Sequence, residues 1–105
     1  MLFIETPLFT KLVKDLLPDD NYRLLQQTIL IRPEVGDIIQ GSGGLRKMRW
    51  HLPGVGKRGG LRVIYYWDVP EDTIYMLLPY RKSKQEDLTP AQLKILRSLV
   101  EEGLK

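Results

Sequence analysis

The stretch LRKMRWHLPGVGKRGGLRVIYYWD, residues 45–68, decides how the rest of the chain is read. From Leu45 to Leu52 the residues alternate. Arg46, Met48, Trp50 and Leu52 fall on one face of an extended segment, Lys47, Arg49 and His51 on the other. Pro53, Gly54, Gly56, Gly59 and Gly60 supply turn-forming residues for a connection. Leu61 to Asp68 is then rich in β-branched and aromatic residues and sets Leu61, Val63, Tyr65 and Trp67 against Arg62, Ile64, Tyr66 and Asp68. Two alternating runs across a glycine-rich turn predict a β-hairpin. Met48, Trp50, Tyr65 and Trp67 are its core side, because they alternate in register with other apolar residues.

Working outward, Pro70, Glu71 and Asp72 make a turn into another strand, Thr73 to Tyr80, which ends in the basic run Arg81, Lys82 and Lys84. Three consecutive antiparallel strands form a meander. Upstream, Leu2 to Glu5 reads as a short strand, and Thr6 with Pro7 is a cap-plus-proline helix start. Leu8, Phe9, Leu12, Val13 and Leu16 give that helix an apolar stripe, and Pro18 stops it. Asp19 and Asp20 are candidate caps for a second helix with Tyr22, Leu25, Ile29, Leu24 and Leu30 on its buried face, ended by Pro33. The two helices are expected as an αα-hairpin. Glu34 to Gly44, with four glycines, reads as a loop. Thr89 and Pro90 repeat the helix-start signal ahead of the stripe Leu93, Leu96, Leu99 and Val100. The expected order is β-α-α-β-β-β-α: one α+β domain over residues 1–105, with helices packed on a mostly antiparallel sheet.

Charge is distributed unevenly over this framework. Between Ile38 and Trp67 stand Arg46, Lys47, Arg49, Lys57, Arg58 and Arg62 without a single carboxylate; the rest of the chain has ten basic residues against thirteen acidic. A face of that kind attracts polyanions, phosphate backbones above all. Cysteine is absent and His51 is the lone histidine, so thiolate metal sites are excluded and a zinc site lacks ligands. A two-metal nuclease needs clustered carboxylates, which the basic stretch lacks. Gly54-Val-Gly-Lys57 imitates the end of a phosphate-binding loop. His51 and Arg58, however, stand where that pattern requires glycine and Ser or Thr. No apolar run is long enough to span a membrane, and the expected location is the cytoplasm.

Three segments, Gly44-Leu-Arg-Lys-Met-Arg-Trp50, Gly56-Lys-Arg-Gly-Gly-Leu-Arg-Val-Ile-Tyr-Tyr66 and Pro79-Tyr-Arg-Lys-Ser-Lys84 followed by Asp87-Leu-Thr89, together with the element order, make the chain resemble the RelE/HigB toxins of bacterial toxin–antitoxin pairs. The basic glycine loop feeding an Arg-x-x-Tyr strand is similar to the HigB-like branch. The resemblance implies a small RelE-like domain acting as a ribosome-dependent mRNA endonuclease in the A site. It needs no cofactor or metal and is held inactive by a cognate antitoxin, a HigA-like helix-turn-helix protein. It also implies that Lys47 and Arg49 are the family's basic pair, that Arg62 is its arginine on the next strand, and that Lys82, with Arg81 beside it, is its basic residue after the last strand. Members of the family also use a tyrosine in the segment that follows. Residues 83–90 contain none, and Tyr66 and Tyr80 are the available substitutes.

Side-chain chemistry supports the same assignment. Attack of a ribose 2′-hydroxyl on the adjacent phosphate gathers negative charge on phosphoryl oxygens, and fixed cations stabilise that state more than the ground state. Arg62 suits this role because guanidinium grips two oxygens at once. Catalysis is thus expected from Arg62, Lys82, Lys47, Arg49 and Lys57, and RNA binding from Arg46, Arg58, Tyr66, Arg81 and Lys84. Two groups are candidates for moving the proton: Lys47, crowded by Arg46, Arg49 and Arg62, and His51. The competing readings are a non-catalytic RNA- or ribosome-binding module and an interaction protein docking an acidic partner on the same face.

Overall fold

The computed structural model describes residues 1–52 and 60–102. In order, its elements are β1 (Leu2–Glu5), α1 (Pro7–Leu16), α2 (Asp19–Ile31), β2 (Asp37–Ile38), β3 (Leu45–Trp50), β4 (Leu61–Asp68), β5 (Thr73–Arg81) and α3 (Pro90–Glu102). The α+β architecture is the expected one. The addition is β2, a two-residue strand inside the segment expected to be loop.

All strands share one sheet in the order β1-β5-β4-β3-β2. β1 joins β5 in parallel, whereas the β2–β3, β3–β4 and β4–β5 pairs are antiparallel. Thr6 explains how the N-terminal strand is held there. Its hydroxyl accepts the Phe9 N–H at 3.0 Å, capping α1, and donates to Leu77 O at 3.0 Å, pinning that helix start to β5. The start of α2 differs from expectation: Pro18 occupies the cap position without a side-chain bond, and Asp19 and Asp20 fall in the first turn, where negative charge favours the helix dipole. At α3, Thr89 Oγ1 accepts from Gln92 N at 3.1 Å while Gln92 Oε1 accepts from Thr89 N at 3.0 Å, a reciprocal capping box.

The sheet is covered on both faces. On one, Phe9 and Val13 of α1 and Leu25 and Ile29 of α2 pack on Met48, Val63, Tyr65 and Met76. Leu24 and Leu30, expected in this layer, are 53% and 51% exposed, because the stripe of α2 is narrower than its count of leucines suggests. On the other face Leu96 and Val100 of α3 pack on Ile64, Leu78 and Tyr80, while Leu99, at 40% exposure, sits at the margin of the stripe. Each sheet face thus has its own apolar layer, and the alternation of β4 feeds both.

One irregularity decides what β5 presents. The register shifts between Ile64 and Tyr65, which pair with Leu78 and Met76, so Leu77 is the extra residue of a bulge. Before it Tyr75 faces α3; after it Leu78 and Tyr80 do. Strict alternation from Tyr75 would have aimed Arg81 at the α3 face. The bulge substitutes the even-numbered residues, ending in Lys82.

Candidate phosphate-binding pocket

Cross-strand register assembles the site. Lys47 stands opposite Ile64, Arg49 opposite Arg62, and Arg62 in turn opposite Tyr80. Paired residues share a face, so these side chains rise together on the α3 side of the sheet. Beyond the bulge Lys82 joins them, its backbone held by a 3.1 Å bond from its N–H to Gly60 O. Lys47, Arg49, Arg62 and Lys82 line one pocket of about 990 Å³, to which no α3 residue contributes.

Arg62 is the most enclosed of the four, at 8% exposure. Its guanidinium has a 3.4 Å contact from Nη1 to the adjacent Leu61 carbonyl and no carboxylate partner among the described residues. Arg62 makes no direct ion pair among the described residues, although its charge is felt by Asp87, and it stands opposite a second arginine; an anion seated between the two guanidiniums relieves both burial and repulsion. The side chains therefore favour occupation by phosphate or a comparable oxyanion.

Acidic side chains also enter, and sequence reading missed them. Asp37 of β2 and Glu86 and Asp87 of the segment between β5 and α3 line the same pocket. Asp87 Oδ1 lies 3.1 Å from Lys47 Nζ and accepts the Leu88 N–H at 2.9 Å. The Lys47 hydrogen bond, then the Leu88 N–H, hold the Asp87 carboxyl below the usual carboxylate range. The expectation that Lys47 is surrounded by like charges alone is thus corrected: the carboxylate gap in residues 38–67 is closed from outside that window. Gln85 steadies this segment, its Nε2 donating to Asp87 O at 2.8 Å and contacting Gln92 Oε1. The one cheap signal was position, since Glu86 and Asp87 come two and three residues after Lys84, the last of the basic run that follows β5. Among the described residues no group of three or more His, Asp or Glu side chains is arranged to hold a metal ion.

The other named residues are distributed differently. Arg46 projects from the opposite face, where its Nη1 donates to Gly36 O at 2.8 Å and Glu34 O at 3.3 Å, bracing the segment before β2. Tyr66 packs with the α3 layer, its ring 6.4 Å from that of Tyr75. Arg81, Lys84 and His51 do not line the pocket, and Lys57 and Arg58 lie outside the described residues. Tyr80 is buried beside the site, and its hydroxyl has no hydrogen-bond partner among the described residues. Burial pushes its phenol up, and the charge of Asp87 adds to this while that of Arg62 opposes it.

The segment carrying Asp37 is held by a third tyrosine. Tyr65, fully buried, accepts the Gly36 N–H at 2.8 Å and donates to Pro33 O at 2.6 Å. A Cβ at Gly36 would lie 2.8 Å from Tyr65 Cε1, so only glycine lets the chain pass this close. The β2 edge of the pocket is thereby fixed to the core.

No protein-family model matches the chain. Among solved structures it is similar to that of the E. coli toxin RelE, a double mutant in the free state, with 13% sequence identity, a TM-score of 0.59, and coverage of 81% of this chain and 86% of that one. The order of helices and strands, the sheet and this structural match together identify the fold as RelE-like.

Proposed function

We propose that the protein is the endoribonuclease toxin of a toxin–antitoxin pair, cutting translated mRNA in the ribosomal A site. The observation that carries this reading is the convergence of Lys47, Arg49, Arg62 and Lys82 in one pocket of a RelE-like fold. The RNA supplies its own nucleophile: the 2′-oxygen attacks the adjacent phosphorus, the bond to the 5′-oxygen breaks, and a cyclic phosphate and a 5′-hydroxyl result. Arg62 and Arg49 hold the phosphoryl oxygens, a contribution of roughly 10²- to 10³-fold for each such contact. Asp87, ionised beside Lys47, accepts the 2′-hydroxyl proton, Lys47 orients that carboxylate, and the Lys82 ammonium gives one proton to the departing 5′-oxygen. None of these steps requires a metal. The antitoxin is a HigA-like helix-turn-helix protein and the site of action is the cytoplasm. No helix among the described residues is long and apolar enough to cross a membrane.

Controlled expression tests the reading. Growth should stop, mRNA should be cut within codons, and purified protein should cut mRNA on programmed ribosomes in the presence of a chelator, whereas an Arg62→Ala variant should be tolerated. Co-expression of the neighbouring reading frame should restore growth. Intact RNA on ribosomes that still bind the protein would replace the nuclease by a binding module.

A further inference from the structure

The pocket is lined by acid as well as base, and the two do not cancel. Among the described lining residues Lys47, Arg49, Arg62 and Lys82 supply four positive charges, and Asp37, Glu86 and Asp87 supply three negative ones. Lys47 and Asp87, 3.1 Å apart, neutralise each other. Arg49, Arg62 and Lys82 are then set against Asp37 and Glu86, three cations against two carboxylates, which leaves one positive charge. That complements a phosphodiester, whose two non-bridging oxygens share a single negative charge. A phosphomonoester carries close to two at about pH 7.5, its second pKa being about 6.

The backbone that carries each unpaired carboxylate is fixed. Asp37 lies directly opposite Lys47 in the β2–β3 register, so it shares the Lys47 face, and Gly36 before it is tied to the core by the Tyr65 hydroxyl. Glu86 stands between two restrained residues. Gln85 donates from Nε2 to Asp87 O at 2.8 Å and contacts Gln92 Oε1, and Asp87 is held by Lys47. Both carboxylates are exposed at the pocket, with no hydrogen bond or ion pair of their own among the described residues. Acids beside a cation site weaken its hold on every anion. What they add is discrimination, because the repulsion grows with each further charge on the ligand.

We propose that Asp37 and Glu86 form a charge filter that admits the singly charged phosphodiester of an RNA chain and turns away doubly charged phosphomonoesters, such as the terminal phosphates of cut RNA and of mononucleotides. The inference rests on the reading of the pocket as an RNA phosphate site. In a chain the charges of neighbouring linkages lie on other phosphorus atoms, outside the seat between Arg49 and Arg62. A terminal phosphate brings its second charge into that seat. Mononucleotides released by other nucleases therefore do not compete with the chain.

Equilibrium binding to the whole protein tests the filter by comparing 2′-deoxyuridine 3′-monophosphate with its methyl ester, a diester of the same nucleoside that lacks the 2′-hydroxyl and so is not cleaved. At about pH 7.5 the diester should bind about tenfold more tightly, the scale of one added like-charge contact at a partly exposed site. At about pH 5 the monoester is itself singly charged, and the gap should shrink below about threefold. A double Asp37→Asn, Glu86→Gln variant should close or invert the gap at about pH 7.5. Its circular dichroism and its binding of the methyl ester report that fold and anion seat persist. A monoester that binds the wild type as tightly as the diester, a gap that does not narrow at the lower pH, or a gap that survives in the double variant would overturn the filter while leaving the phosphate reading intact. Absence of binding by both ligands and by inorganic phosphate would overturn both.

Discussion

Replacing Arg62 by methionine should stabilise the free protein while abolishing its affinity for anions. Arg62 and Arg49 are direct cross-strand partners, and Arg62 is 8% exposed with no carboxylate in ion-pair contact among the described residues, Asp87 acting on it only at longer range. Side chains in such a pair start about 5 Å apart at Cβ and splay outward. Charge centres about 8 Å apart repel by about 2 kcal/mol at an effective dielectric of 20, and salt screening reduces this to about 1 kcal/mol. Relief of guanidinium desolvation adds to the gain, and methionine keeps most of the apolar stem, so Arg62→Met should be about 1–3 kcal/mol more stable. In urea this moves the midpoint up by about 1 M at constant slope. The second half of the assay adds phosphate. At a hundred times its dissociation constant, phosphate should stabilise the wild type by about 2.7 kcal/mol and the variant by far less. A variant less stable than the wild type by more than about 1 kcal/mol, with the phosphate-induced shift undiminished, would refute the idea that Arg62 is a strained, ligand-awaiting cation.

Three further outcomes follow from the geometry. Asp87 has a folded-state pKa below its unfolded value, so its contact with Lys47 contributes stability above the unfolded pKa that is lost as pH falls through the folded one. With the Asp87 side chain 69% exposed the loss should stay below about 1 kcal/mol, and Asp87→Asn should remove that part of the acid-side slope in denaturation profiles taken at several pH values. Gly36→Ala sets a Cβ 2.8 Å from Tyr65 Cε1 and should cost about 1–3 kcal/mol by the same denaturation measurement; an unchanged midpoint would mean that β2 is not held by this close approach. Thr89→Ala removes one half of the capping box of α3 and should cost about 1 kcal/mol, with faster amide exchange confined to residues 91–93 as the local sign.

Much of this architecture was legible before any coordinates. Thr6-Pro7 and Thr89-Pro90 mark the helix starts because a hydroxyl cap and a pre-set φ are local properties. β3 and β4 follow from alternation alone, and so does the common face of Lys47, Arg49 and Arg62. What could not be read depends on distant partners. β2 is two residues long and exists only because β3 offers an edge, which no periodicity over Asp37 and Ile38 could announce. The bulge at Leu77 lies within a continuous apolar run, Ile74 to Leu78, where alternation carries no information, so whether Arg81 or Lys82 turns inward was undetermined. The entry of Asp37 and Asp87 was invisible for a related reason: a carboxylate-free window along the chain says nothing about what the fold brings back over it.

The parallel pairing of β1 with β5 has a consequence for the order of events during synthesis. The Thr6 hydroxyl reaches Leu77 across 71 positions, and the strand that receives it also extends toward Lys82. Contacts so remote in the chain form late, after most loop closures have been made. A growing polypeptide therefore has no assembled cation cluster until β5 has been made, has left the exit tunnel and has paired with β4, so the pocket closes only after Lys82 has emerged.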